Sequence, residues 1–171
     1  MSDLPWQTRP EVAGDRTGVY AINRDAFGRP AEADLVEALR SDPGWLPGLS
    51  YVATDAHGTL VGYALLTRAR IGDVPAVGLG PVAVRPGQQR RGVGDAVVRA
   101  VLAAAAQRGE TAALVLGHRT YYPRFGFRPA ATFGVSGPDE WPPEDFFALP
   151  LGPSGAVPAG PARLAAPFHA L

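Results

Sequence analysis

Two glycines separated by a single valine, Gly92 and Gly94, stand where an amphipathic pattern begins. Residues of this type and spacing are suited to holding an anion. Without a Cβ the main chain can approach a ligand closely, and the first turn of a helix leaves its N–H groups unpaired and positively polarised. A pyrophosphate fits such a cradle. Arg90 and Arg91 add positive charge beside it, although arginines in a loop are also ordinary solvated residues. By itself a G-x-G at a helix start is a weak signal, equally compatible with a plain helix start. The chain has no lysine, so the nucleoside-triphosphate loop G-x-x-x-x-G-K-[ST] is excluded in its usual form, and the dinucleotide fingerprint would need a glycine at Val97.

Hydrophobic periodicity outlines the elements that must position this segment. Val19, Ile22, Ala26 and Phe27 have near-helical spacing, and Leu35, Val36 and Leu39 follow in a second short helix that ends at Asp42-Pro43-Gly44. Ser50 to Thr54 and Thr59 to Arg70 read as antiparallel strands joined by the hairpin connection Asp55-Ala56-His57-Gly58. Val77 to Val84 is a buried strand that stops at Arg85-Pro86-Gly87. From Val93 the period changes, with Val97, Val101, Ala104 and Ala105 on one helical face until Gly109 ends it. Thr111 to Leu116 is the next strand and, coming after a helix, is expected to run parallel to Val77 to Val84. Beyond it, short apolar segments alternate with Pro and Gly, and the stretch 152–171, rich in Pro, Ala and Gly, reads as a loosely held extension of one domain spanning 1–151.

With 171 residues and 46% hydrophobic content, the chain suits a single domain with a full core. Sixteen basic residues balance sixteen acidic ones, so no global field draws it to nucleic acid or to an anionic membrane. The absence of cysteine removes disulfides and thiolate chemistry. His57, His118 and His169 are far apart and lack a metal-binding spacing, so no metal is expected. Met1 to Pro10 is polar, and no stretch approaches the roughly 20 apolar residues that span a bilayer, so a cytoplasmic location is expected.

Gln89-Arg90-Arg91-Gly92-Val93-Gly94 matches the Q/R-x-x-G-x-G/A signature, and Val84-Arg85-Pro86 precedes it as V-x-P. Tyr121-Tyr122-Pro123-Arg124-Phe125-Gly126-Phe127 looks like a Y-x-x-x-G-F element, and Leu79 to Val84 looks like a fourth strand. In these features the chain resembles small bacterial members of the GNAT superfamily of acetyl-CoA-dependent N-acetyltransferases, over most of its length from about Thr8 to Leu151. The resemblance implies an α/β (α+β) fold in which helices flank a mixed, mostly antiparallel sheet and strands 4 and 5 splay apart. It implies acetyl-CoA as co-substrate, with pantetheine bonded like an extra strand to main-chain groups along Val82, Ala83 and Val84. The pyrophosphate is then held by amides of Gln89, Arg90, Arg91, Gly92, Val93, Gly94 and Asp95. The Asp95 carboxylate would repel a phosphate, so its side chain is expected to turn away.

The chemistry implied is direct attack of an amine on the thioester in a ternary complex, which requires a proton to leave the ammonium and another to reach the departing thiolate. Tyr122 occupies the place where similar proteins carry the tyrosine that protonates the sulfur. Tyr121 is a neighbouring competitor, and a packing aromatic is the plainer alternative. No carboxylate lies on Val77 to Val84 to act as base. His118 is one candidate; a structural histidine and a water relay to solvent are the others.

The acceptor, a small-molecule or peptide amine, is expected among the N-terminal helices, the strand residues Tyr51 and Tyr63, and the segment from Trp141 to Phe147, with Trp45, Trp141 and Phe146 as an aromatic wall. Glu32, Asp34, Glu140, Glu144 and Asp145 are candidate attractors for a cation. Eight arginines between Arg85 and Arg128, against nine acids in the first 60 residues, suit an anionic cofactor on one side and a cationic acceptor on the other. Similar proteins commonly form homodimers. A non-catalytic acyl-CoA-binding sensor or regulatory domain on the same fold is the competing expectation, and a different nucleotide-binding protein a third.

Overall fold

A computed structural model of the chain describes residues 5–170. Its sheet is assembled from β1 (Gln7–Pro10), β2 (Trp45–Thr54), β3 (Leu60–Ile71), β4 (Val74–Val84), β5 (Ala112–Leu116), β6 (Arg128–Pro129) and β8 (Phe146–Pro150) in the order β1-β2-β3-β4-β5-β8-β6. Pairing is antiparallel except between β4 and β5, which run parallel as expected for strands connected through a helix. The short strand β7 (Val135–Ser136) lies off this path and pairs with β9 (Gly160–Arg163).

Alternation along the strands divides the core. On β3, Ala64 and Leu66 face α3 (Val93–Gln107), whereas Tyr63 and Leu65 face α1 (Arg16–Phe27) and α2 (Ala31–Arg40). Helical spacing supplies the matching faces: Val97, Val101 and Ala105 of α3 are fully buried on one side, and Val19 of α1 with Val36 and Leu39 of α2 on the other. The sheet is thus covered on both faces. A third cluster at the far end gathers Ile71, Leu114, Phe146 and Ala162.

The structure adds a strand near the start of the chain and departs from the sequence-based expectation near its end. Gln7 to Pro10, polar in sequence, is an edge strand in register with Thr54 to Tyr51. The C-terminal stretch is not loosely held. β9 pairs with the end of β3, Arg163 opposite Arg70 and Ala162 opposite Ile71, and Leu164 is only 8% exposed. Leu164 packs so closely on β4 that a Cβ added to Gly78 would stand 2.9 Å from its Cδ2 atom. Truncating this leucine with Leu164→Ala should therefore lower the unfolding free energy by about 2–3 kcal/mol in urea titration, whereas a loose tail would give no change.

Candidate active site

The parallel pairing of β4 with β5 covers only Val77 to Leu79 opposite Ala113 to Val115. Beyond Leu79 the strands separate. Gly80 has φ +140, Pro81 has no N–H to give to a ladder, and the register of β4 with β3 shifts between Ala64 and Leu66. Arg85 donates its N–H to the Val61 carbonyl at 2.9 Å, so its main-chain polar groups point to β3. By strand alternation Ala83 shares that direction, and Val82 and Val84 present N–H and C=O to the opening on the other side. Gln89 bends back across the loop to donate its Nε2 to the Val84 carbonyl at 3.3 Å, bracing the loop on the strand.

The loop that follows alternates in handedness. Gly87 has φ +90, Arg90 +64 and Gly92 +92, and Arg90 is the sole non-glycine residue with positive φ among the described residues. Such alternation makes a concave nest of main-chain N–H groups, and strained backbone of this kind gathers at ligand sites. Gly92 is the N-cap of α3 and supplies no side-chain cap, which leaves the first-turn amides of Val93, Gly94 and Asp95 without an intrahelical partner. The cradle is pinned to the sheet beneath. Val93 is 1% exposed, and a Cβ on Gly62 of β3 would lie 2.5 Å from its Cγ1. Arg90 lines the cavity described below; Arg91 is exposed.

Asp95 does not stand alone beside the cradle. Its carboxylate accepts from the Tyr121 hydroxyl at 3.2 Å and from Arg124 at 3.3 and 3.4 Å, so a cation balances its charge. The Arg124 guanidinium also lies 4.4 Å above the Tyr121 ring. These contacts tie the start of α3 to the turn that carries Tyr122. Gly94 makes the approach possible: a Cβ there would stand 2.7 Å from the Tyr121 hydroxyl.

Tyr122 opens a 3-10 turn, Tyr122–Phe125. Its ring lies against Gly117, where an added Cβ would come within 2.3 Å, and meets Tyr121 and Phe127 edge-on at 5.1 and 5.8 Å. Burial pushes the Tyr122 phenol up to about 12. Tyr121 is raised too, by burial first and then by Asp95. The two hydroxyls differ in their surroundings: that of Tyr121 is held by Asp95, while that of Tyr122 has no hydrogen-bond partner among the described residues. His118 lies four residues earlier with an exposed side chain, and its carbonyl accepts the Tyr121 N–H at 3.0 Å.

One cavity of about 1010 Å³ brings together Val82, Ala83, Val84, Gln89, Arg90, His118, Tyr121 and Tyr122. Several residues expected at the acceptor end lie elsewhere. Tyr63 is fully buried and shares a 2.8 Å hydrogen bond with Ser50, Trp45 sits beneath the Arg40 guanidinium, and Phe146 is buried behind Trp141. Tyr51 is on β2, paired with Pro10 of β1. Of the acids considered, Glu32 lines the cavity; Asp34 accepts from Tyr20, Asp145 and Glu144 pair with Arg119, and Glu140 lies 3.6 Å from His169. Much of the acidic half of the chain is spent in ion pairs, Arg9 with Asp15, Arg16 with Glu37 and Arg40 with Glu11. Phe27, Leu164 and Phe168, which also line the cavity, carry no catalytic residue type to mark them. Among the described residues there is no group of three or more potential metal ligands, and no helix long and apolar enough to cross a membrane.

Residues 16–127 match the Acetyltransferase (GNAT) family. An uncharacterized N-acetyltransferase of Escherichia coli, YjhQ, is 40% identical over 121 residues, a match that runs along 68% of this chain and 66% of that protein. A second uncharacterized N-acetyltransferase of E. coli, YhbS, is 36% identical over 125 residues, 72% of this chain and 74% of YhbS. The structure of YhbS in complex with CoA superimposes with a TM-score of 0.90 and 27% identity, covering 99% of this chain and 94% of that one. A GNAT acetyltransferase from Brucella melitensis in complex with acetyl-CoA gives 0.78 at 28% identity, covering 95% and 97%. Sequence, topology and the opening between β4 and β5 agree, and this chain belongs to the GNAT family of acetyltransferases.

Proposed function

We propose that this protein transfers an acetyl group from acetyl-CoA to a primary amine of a small molecule or peptide, both reactants being held in one ternary complex. The observation that carries the proposal is the single cavity that runs from the cradle loop through the strand opening to Tyr122. The residues suit coenzyme A: main-chain groups of Val82 and Val84 for the pantetheine amides, and the first-turn amides of α3 with the left-handed loop for the diphosphate. The relatives solved with CoA and acetyl-CoA support the same assignment.

Acetyl-CoA supplies an activated acyl group as a thioester. The chain's part is to hold the amine nitrogen against that carbonyl, to accept the ammonium proton, and to return a proton to sulfur as the C–S bond gives way to a C–N bond. Tyr122 is the proton donor in this scheme, because its phenol remains protonated at neutral pH and its hydroxyl is uncommitted. His118, exposed in the same cavity, accepts the ammonium proton directly or through water.

The test is thiol release from acetyl-CoA with a panel of amines, followed across pH. As pH rises toward the amine's pKa more acceptor is neutral, while Tyr122 keeps its proton until pH approaches its raised value of about 12. We expect kcat/KM to climb from about pH 7 to about pH 10 without a descending limb from Tyr122. A fall beginning near pH 8 would contradict that role. A second reading, a coenzyme A-binding sensor without catalysis, is favoured by the lack of any carboxylate on β4. Tight acetyl-CoA binding with no thiol released by any amine would select it.

A further inference from the structure

The cavity has two chemically different ends. The loop before α3 contributes Gln89 and Arg90, and the stretch from His118 to Arg124 contributes further charged and hydrogen-bonding side chains, those of Thr120 and Tyr122 included. The other end is built from Phe27 of α1, Glu32 and Leu35 of α2, Trp141 of the loop after β7, and Leu164 and Phe168 of the C-terminal stretch. Five of these six are apolar. Phe168 reaches the place where β4 leaves β5, since a Cβ on Gly80 would be 3.7 Å from its ring. Trp141 stacks on His169 with centroids 5.6 Å apart and planes 7° from parallel, which fastens the loop to the C-terminal turn and makes one continuous wall. Glu32 is the sole carboxylate lining the cavity among the described residues; it is 7% exposed and is oriented by Arg29, whose Nε donates to it at 3.1 Å.

Resting on the acetyl-transfer reading, we propose that the acceptor is a primary amine carried on an apolar aliphatic or aromatic body, its nitrogen at the end that holds His118 and Tyr122 and its body on the opposite wall, with Phe168 as the main determinant of selectivity. A polyamine would bring several charges to an end with one carboxylate, already shared with Arg29, and the surplus charge would be desolvated without a partner. An amino sugar would bury hydroxyl groups against Phe27, Leu35, Leu164 and Phe168, side chains that offer no hydrogen bond. Methylene groups, in contrast, gain by leaving water there.

The experiment uses the full chain with n-alkylamines from propylamine to hexylamine, 2-phenylethylamine, spermidine and glucosamine. Thiol release gives kcat/KM, and calorimetry on the CoA-saturated protein gives amine affinity independently of turnover. Each added methylene should raise both kcat/KM and affinity about threefold. Phe168→Ala should cut hexylamine kcat/KM about tenfold and flatten the series, and Phe168→Leu should restore most of the slope. A flat series in the unaltered protein, or spermidine or glucosamine as the preferred acceptor, would overturn the proposal while leaving acetyl transfer intact. Graded alkylamine binding without any acetyl transfer would refute the transfer reading and uphold this assignment of the cavity.

Discussion

Tyr122→Phe should lower kcat by about 10²-fold or more while the affinity for acetyl-CoA changes less than about twofold. The substitution removes one hydroxyl and nothing else. The ring contacts with Gly117, Tyr121 and Phe127 remain, so the turn keeps its shape. In the proposed role the lost group acts only when sulfur departs, so the loss belongs in kcat and not in ground-state binding. Tyr121→Phe is the informative contrast. It breaks the bond to Asp95, so its effect should fall on the seat of α3 and on the KM for acetyl-CoA. If Tyr122→Phe turns over at the unaltered rate, the thiolate is protonated by water and the role assigned to this tyrosine is wrong.

Gly92→Val should raise the dissociation constant for acetyl-CoA at least about 100-fold, measured by calorimetry. At φ +92 an L side chain is strained, and a β-branched one more so, which costs the fold about 1–2 kcal/mol. Strain alone does not reach the expected loss of affinity. A Cβ on Gly92 meets no protein atom within 4 Å, so the new side chain clashes with nothing in the fold and fills space beside the amides of the cradle. Gly58→Val is the matched control: it also has positive φ, +78, with open space around it, but sits in the β2–β3 hairpin. It should lose similar stability and keep its affinity. Equal affinity in the Gly92 variant would remove the diphosphate from this loop.

Much of the proposed cofactor half is legible in sequence because its parts are local. Gly92 and Gly94 announce a helix start, the spacing of Val97, Val101 and Ala105 announces the helix, and that helix forces β5 to lie parallel to β4. The acceptor half is not. Leu164 and Phe168 stand among prolines and alanines without a strand or helix period, and only the pairing of β9 with β3 carries them to the cavity. Tyr63 was expected at the acceptor pocket and lies in the core, because alternation along a strand separates two faces without saying which is open. β1 escapes notice for a different reason. It is held to β2 by main-chain hydrogen bonds, which polar residues supply as well as any others. The partners of Asp95 come from a turn more than twenty residues downstream, so its neutralisation is a tertiary event.

One side of the cavity draws on two compact stretches of chain, Leu79 to Arg90 and Leu116 to Arg124, whereas the opposite wall is a mosaic of three distant ones, Ala26 to Leu35, Trp141 and Leu164 to Phe168, the last hung from β9. Point changes scattered through α1, α2, the Trp141 loop or the C-terminal strap alter that wall one contact at a time and leave the left-handed loop from Gly87 to Gly92 untouched.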